Sequence, residues 1–401
     1  MTGRALSSRE LLQWRRLPAG QQPLWGADTA VEHVVGTLRG LPPLIGGDEI
    51  DTFARLLADA ATGTRLVLQA GDCAEDPAHR DRKHVAPTVR LLTGLAQRMS
   101  ASSGYPVVTA GRIAGQYAKP RTEAIESIGG RRLPSFRGLM INGPEPDPAA
   151  RAADPRRMLE CRHAAGDTLR ALRAVSSELG VRVWTSHEAL VLDYELPQLR
   201  RLADGRLMLT STHWPWVGDR TRLISGAHLA LLAAIANPVA CKLGPGTSES
   251  ELLAVCERLD PHRIPGRLAL ISRLGAGICE RRLPRLVSAV RREGHPVIWM
   301  CDPMHGNTVM SASGLKTRTL TAVRREVAEF RTAIRETGAV AGGLHLEVTA
   351  EPARECVATD ADINELDSSA YRTLCDPRLN ALQAQAVISA WAETECRADN
   401  P

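Results

Sequence analysis

The chain has 401 residues, 44% of them hydrophobic and 24% charged, which is the balance of a globular protein with a sizeable core. Its net charge of +5 is mild, and without a basic run or RNA-recognition motif nucleic-acid binding is not expected. No apolar stretch is long enough to span a bilayer, the N-terminus lacks the apolar core of a secretory signal, so that the cytoplasm is the expected compartment, and nine cysteines with no CxxC pair argue against a disulfide scaffold or a zinc ribbon.

Taken in chain order, residues 1–60 read as a helical extension and residues 61–401 as the catalytic domain. In that domain, short apolar runs recur at 66–70, 106–110, 181–185, 206–210, 239–243, 268–272, 297–301 and 344–349. Such runs are the mark of parallel strands buried on both faces. Helical patterns fall between them, at 89–99, 157–179, 222–236, 250–259, 282–293 and 319–337. An extra hairpin is expected around 133–142, and SESE at 248–251 reads as a capping box at a helix start. This alternation predicts an α/β protein, a (β/α)8 barrel with an N-terminal helical extension. The alternative, an open doubly wound sheet, lacks a GxGxxG or Walker loop after any strand.

In such a barrel the active site lies in the loops that follow the strands. Those loops carry Arg112, Lys119, Arg121, Arg220, Lys242, Arg273, Lys316 and Arg318, a ring of cations suited to phosphate or carboxylate groups. The alternative for any one of them is an acid partner and a purely stabilising role. Of the 50 basic side chains only four are lysine. A bias toward arginine leaves lysine where arginine will not serve, which singles out Lys119, Lys242 and Lys316. Cys73, His305, Glu347 and Asp376 follow the first, seventh and eighth strands. Barrel closure can bring them together, and a thiolate, an imidazole and two carboxylates suit a borderline divalent ion.

Taken together, GDCAE (71–75), GRIAGQYAKPRT (111–122), THWPWVGDRTR (212–222), NPVACKLGP (237–245), CDPMHGNT (301–308), GLHLE (343–347) and LCDPRLN (374–380) resemble the type II 3-deoxy-D-arabino-heptulosonate 7-phosphate (DAHP) synthases. The resemblance is closest to the short members associated with phenazine biosynthesis. It implies a (β/α)8 barrel and an aldol-type transferase that joins phosphoenolpyruvate to erythrose 4-phosphate, the first step of the shikimate pathway. It places the metal ligands at Cys73, His305, Glu347 and Asp376, with Mn2+ the expected ion and Co2+, Fe2+ or Zn2+ as alternatives. Phosphoenolpyruvate would meet Arg112, Arg220, Lys242 and Arg273, with Asp219 adjacent. The sugar phosphate would meet Lys119, Arg121, Thr122 and Lys316. Lys119, Asp219, Lys242 and His305 are the catalytic candidates, Lys119 as proton donor to the new alkoxide.

The resemblance also implies a homodimer or higher homo-oligomer. The short length implies insensitivity to aromatic amino acids and a role in secondary metabolism. Three positions depart from the family pattern: Asp219 stands for a glutamate, and Leu139 and Ser225 stand for aspartates. These departures keep two other readings open, an amino-DAHP synthase and a catalytically weak regulatory paralogue.

Overall fold

The computed structural model describes residues 3–26, 28–366 and 368–396. Eight parallel strands close into a barrel: β1 (Leu66–Gly71), β2 (Val107–Arg112), β3 (Val183–Glu188), β4 (Trp214–Val217), β5 (Val239–Leu243), β6 (Leu268–Ser272), β7 (Ile298–Cys301) and β8 (Ala341–Glu347). They neighbour one another in chain order, and β8 pairs with β1 from Gly343↔Val67 to Glu347↔Gly71. The expected (β/α)8 barrel is therefore the observed fold. Helices cover its outside, among them Arg82–Ser103, Arg156–Glu178, Cys279–Arg292 and Leu320–Glu336. No helix among the described residues is long and apolar enough to cross a membrane.

Because side chains alternate along a strand, every second residue points into the barrel. At the N-terminal end these positions are apolar. Val67, Val108, Trp184, Trp214, Ala240, Ala269 and Ile298 form one cluster with Phe53, Leu57 and Ala60 of the helix Gly47–Ala61. That helix plugs the bottom of the barrel. It is the last of three helices in the N-terminal region, after Ser8–Arg15 and Asp28–Gly40.

Three expectations are corrected. The fourth barrel strand is Trp214–Val217, not 206–210. The segment Leu207–Leu209 instead joins a small antiparallel sheet with Leu199–Arg201 and Arg4–Ala5. An aliphatic run drew the assignment, whereas the true strand is a Trp-Pro-Trp segment whose two indoles fill the barrel. The hairpin lies earlier than 133–142. Ile125–Ile128 pairs with Arg131–Pro134 across Gly129-Gly130, both at positive φ, the two-residue turn that suits strand twist. The helix at Glu249–Leu259 is capped at Ser248, whose hydroxyl accepts from Glu251 N. The Glu251 carboxylate does not complete a capping box; it pairs with Arg222 at 2.7 Å.

The eighth strand begins at Ala341, ahead of the apolar run, with two glycines. A Cβ on Gly343 would lie 1.9 Å from the Val67 carbonyl oxygen, so closure of β8 onto β1 requires a residue without one.

Candidate active site

Toward the C-terminal end of β1, β2, β3, β5 and β8 the inward positions turn polar. Gln69 follows Val67 on β1, Arg112 ends β2, and Ser186 and Glu188 follow Trp184 on β3. Lys242 follows Ala240 on β5, and His345 and Glu347 end β8. The cavity above them has a volume of about 490 Å³. Arg112, Lys119, Arg121, Thr122, Asp219, Arg220, Lys242, Arg273, His305, Lys316 and Asp376 all line it. Loops distant in sequence thus converge on one opening.

Glu347 is the hub. Its Oε1 lies 3.1 Å from Arg112 Nη2, 3.2 Å from Lys119 Nζ and 3.2 Å from His305 Nε2, and its Oε2 lies 2.7 Å from Arg318 Nη1. Burial opposes ionisation, but the surrounding cations, Lys119, Arg318 and Arg112 among them, hold this carboxyl well below the usual carboxylate range. Asp376 forms an ion pair with Lys119 at 2.5 Å and accepts from Lys316 at 2.9 Å. Burial again opposes, and Lys119 leads the cations that keep Asp376 charged. Lys119 therefore bridges two carboxylates.

One ligand atom from each of His305, Glu347 and Asp376 lies within 4.8 Å of the others, making a possible metal-binding triad. The environment of His305 fits such a role. Its Nδ1 meets Asp302 Oδ2 at 2.7 Å, so an N–H there leaves the Nε2 lone pair facing Glu347. A lone pair opposite a carboxylate oxygen calls for a cation between or beside them. A histidine whose second nitrogen is anchored by a carboxylate is also a common metal-ligand arrangement. Burial keeps the imidazole below its ordinary pKa, which favours the neutral, ligating form.

Cys73 does not fall within that 4.8 Å triad. It is buried beside Phe136 and Cys375, with its Sγ 3.3 Å from Thr373 Oγ1. Burial raises its pKa, but Cys375 and Lys119 outweigh this and lower it. The thiol stands next to the charged cluster, and Cys161, Cys241, Cys256, Cys279, Cys301, Cys356 and Cys375 are buried free thiols.

The cationic mouth is not a bare ring. Lys242 pairs with Asp302 at 2.8 Å, Arg273 with Asp219 at 3.3 Å and Arg121 with Glu126 at 3.1 Å. Arg220 has no salt bridge among the described residues; it donates to Thr122 Oγ1 at 2.6 Å. Burial, partly offset by Asp302, lowers Lys242 to about 8. The Trp216 ring centroid lies 5.6 Å from the Arg112 charge and 4.7 Å from the Lys242 charge, which adds cation–π attraction in a desolvated site.

The departures are locally accommodated. Asp219, though a methylene shorter than glutamate, reaches Gly244 N at 3.1 Å and Arg222 Nε at 2.9 Å as well as Arg273. Leu139 packs against the Cys73–Phe136–Cys375 cluster, and Ser225 is exposed.

Several residues escaped the sequence reading. Asp302 orients both His305 and Lys242, and its signal was the spacing of three before His305 in CDPMH. Arg318 was seen as one cation among many, yet it is fully buried on Glu347. Glu188 lines the cavity with Oε1 buried and unpartnered, and burial raises its pKa. Nothing in its Ser-His-Glu context distinguished it from a structural acid.

The comparisons with known proteins agree with this geometry. The model of the class-II DAHP synthetase family matches residues 9–181 and 177–390. A probable phospho-2-dehydro-3-deoxyheptonate aldolase of Pseudomonas fluorescens is 46% identical over 376 residues, covering 92% of this chain and 94% of that protein. A phospho-2-dehydro-3-deoxyheptonate aldolase of Mycolicibacterium smegmatis is 37% identical over 432 residues, covering 94% of this chain and 92% of that protein. One of Streptomyces coelicolor is 37% identical over 422 residues, covering 92% of this chain and 94% of that protein. A solved phospho-2-dehydro-3-deoxyheptonate aldolase of Francisella tularensis superposes with a TM-score of 0.54 at 14% identity, covering 94% of this chain and 98% of that one, which bears on the fold alone. The chain belongs to the class-II DAHP synthetase family.

Proposed function

We propose that the protein condenses phosphoenolpyruvate with erythrose 4-phosphate to give 3-deoxy-7-phosphoheptulonate and inorganic phosphate. The observation that carries this reading is the convergence, in one cavity, of Arg112, Lys119, Lys316, His305 and Asp376, with Glu347 buried in contact with Arg112, Lys119 and His305 to complete the His305–Glu347–Asp376 triad. Both substrates are phosphorylated anions, which such cations bind and orient. Arg112, Lys242, Arg273 and Arg220 are assigned to phosphoenolpyruvate. Lys119, Arg121, Thr122 and Lys316 are assigned to the sugar phosphate.

His305, Glu347 and Asp376 would hold a divalent ion, with Cys73 as a further ligand and manganese as the proposed metal. When bound, such an ion polarises the aldehyde oxygen toward attack by a weak carbon nucleophile. The chain's own residues do the rest. Asp219 steers Arg273, Asp302 steers Lys242, and together they align the enol carbon with the aldehyde carbon. Lys119, beside Glu347 and Asp376, is assigned as the proton donor that converts the new alkoxide to a hydroxyl. Water then adds at the former enol carbon and phosphate departs by C–O cleavage. Glu188, a buried carboxyl near Lys242, is placed to hold that water.

We further propose that the enzyme serves secondary metabolism as a cytoplasmic homodimer or larger homo-oligomer and is insensitive to phenylalanine, tyrosine and tryptophan. The test of function is phosphate release from phosphoenolpyruvate by chelator-stripped protein reloaded with manganese. Release that needs both erythrose 4-phosphate and the metal is expected. Metal binding without release would favour an amino-sugar substrate or a regulatory role instead. Titration of each aromatic amino acid into the same assay checks the insensitivity, and strong inhibition by any of them would refute it.

A further inference from the structure

We infer that Gln21 and Arg137 form a clasp through which the N-terminal segment sets affinity for the phosphorylated aldehyde. The inference rests on the substrate assignment above. The segment Lys119–Thr122 carries three of the residues assigned to the sugar phosphate, yet it lies beyond the end of β2. Its position must come from contacts outside the strand ladder.

Those contacts form a closed circuit. Lys119 N donates to Arg137 O at 2.9 Å. The Arg137 guanidinium donates from Nη2 to Gln21 O and from Nη1 to Gln22 O, the latter at 3.2 Å. Gln21 Oε1 then accepts from Arg121 N at 3.0 Å, across 100 positions of sequence. The Arg121 side chain is engaged elsewhere, on Glu126, so Gln21 holds the backbone that aims it.

The next residue anchors the clasp to the barrel. Gln22 Nε2 donates to Leu190 O at 2.8 Å, and Gln22 Oε1 accepts from Leu192 N at 2.9 Å. Two features mark the arrangement as specified rather than incidental. Gln21 has φ of 61°, a left-handed conformation that a non-glycine residue adopts only when its surroundings impose it. Arg137 makes no salt bridge among the described residues, and burial lowers its pKa. Its charge is spent on two backbone carbonyls of the N-terminal segment. Because a displacement of about 1 Å at a substrate-positioning loop can cost about a hundredfold, the clasp acts through Arg121 and Lys119 as a positioning device.

The test uses steady-state kinetics of the metal-loaded full chain with both substrates. Gln21→Asn tolerates the left-handed backbone but is a methylene too short to reach Arg121 N. Loss of one hydrogen bond predicts a rise of about fivefold in KM for erythrose 4-phosphate. The KM for phosphoenolpyruvate and kcat are expected to stay within about twofold of wild type, and amide exchange at Arg121 is expected to quicken. Arg137→Lys keeps the charge but loses the fork, and should give the same split. The double variant should be little worse than the worse single one, because both open one circuit. Parallel rises in both KM values, an unchanged sugar-phosphate KM, or additive effects would overturn the clasp. A wild type that turns over while the variants match it refutes the clasp alone. A wild type that releases no phosphate refutes the substrate assignment and this inference with it.

Discussion

The two ends of the barrel are made by the same eight strands, yet they solve opposite problems. At the N-terminal end Val67, Val108, Trp184, Trp214 and Ile298 meet Phe53 and Leu57 in an apolar plug. Burial there is favourable and asks only that volume be filled. Two to four residues further along, the inward positions include Gln69, Arg112, Ser186, Glu188, Lys242, His345 and Glu347, while Trp216, Ile271 and Met300 stay apolar. Buried charge is costly unless it is paired. Accordingly, Glu347 faces Arg112, Lys119 and Arg318, and Asp302 faces Lys242. One end is therefore concerned with stability, and the other stores charge that a substrate or an ion can exploit.

Substitutions at each end should separate these roles. The largest effect is expected at the hub. Glu347→Gln leaves three cations short of their common partner and removes a triad member. Turnover should fall by at least about a thousandfold, and retained manganese should fall with it. Activity within tenfold of wild type would show that the hub is not the chemical centre.

At the opposite end, Phe53→Ala should cost about 3 kcal/mol of stability, seen as a lower Tm. Its KM values should be unchanged while the protein is folded. A change in substrate affinity without loss of stability would erase the division between the two ends.

A smaller effect is expected from Asp302→Asn, which loosens His305 without removing a ligand. Metal affinity should drop about ten- to a hundredfold, as measured by competition with a chelator, and an unchanged affinity would deny Asp302 its orienting role.

The most gradual effect, spread over several pH units, concerns pH. Glu326 accepts from Gly275 N at 2.8 Å and Asn307 Nδ2 at 2.7 Å, and burial raises its pKa to about 8. Its folded pKa thus exceeds its unfolded one. Between about pH 5 and pH 8 the folded state holds the extra proton, so stability falls as pH rises, by at most about 1.4 kcal/mol per pH unit. Glu326→Gln should flatten that slope in denaturation measured across this range, and an unaltered slope would remove Glu326 as its source.

How much of this was legible beforehand depended on the kind of signal. Aliphatic strands such as Val239–Leu243 and Leu268–Ser272 announce themselves by composition, and their ends match expectation. Trp214–Val217 does not, because its burial comes from indole rings and it carries a proline that reads as a breaker. The strand-end cations were visible as residue types. Asp219, Glu347 and Asp376 among their acid partners were visible too, but Glu126 and Asp302 were not, since Glu126 lies on the hairpin and Asp302 stands three residues before a more conspicuous histidine.

The sequence by itself determined the alternation of strands and helices, and hence which residues stand at strand ends, because both follow from local periodicity and from motifs contiguous in the chain. Only the tertiary structure decided which charges meet. Glu347 and Arg112 are separated by 235 positions, and Gln21 and Arg121 by 100. Such pairs come into contact only when β8 closes on β1 and the N-terminal segment packs on the loops that follow β2 and β3, and no local pattern encodes that distance.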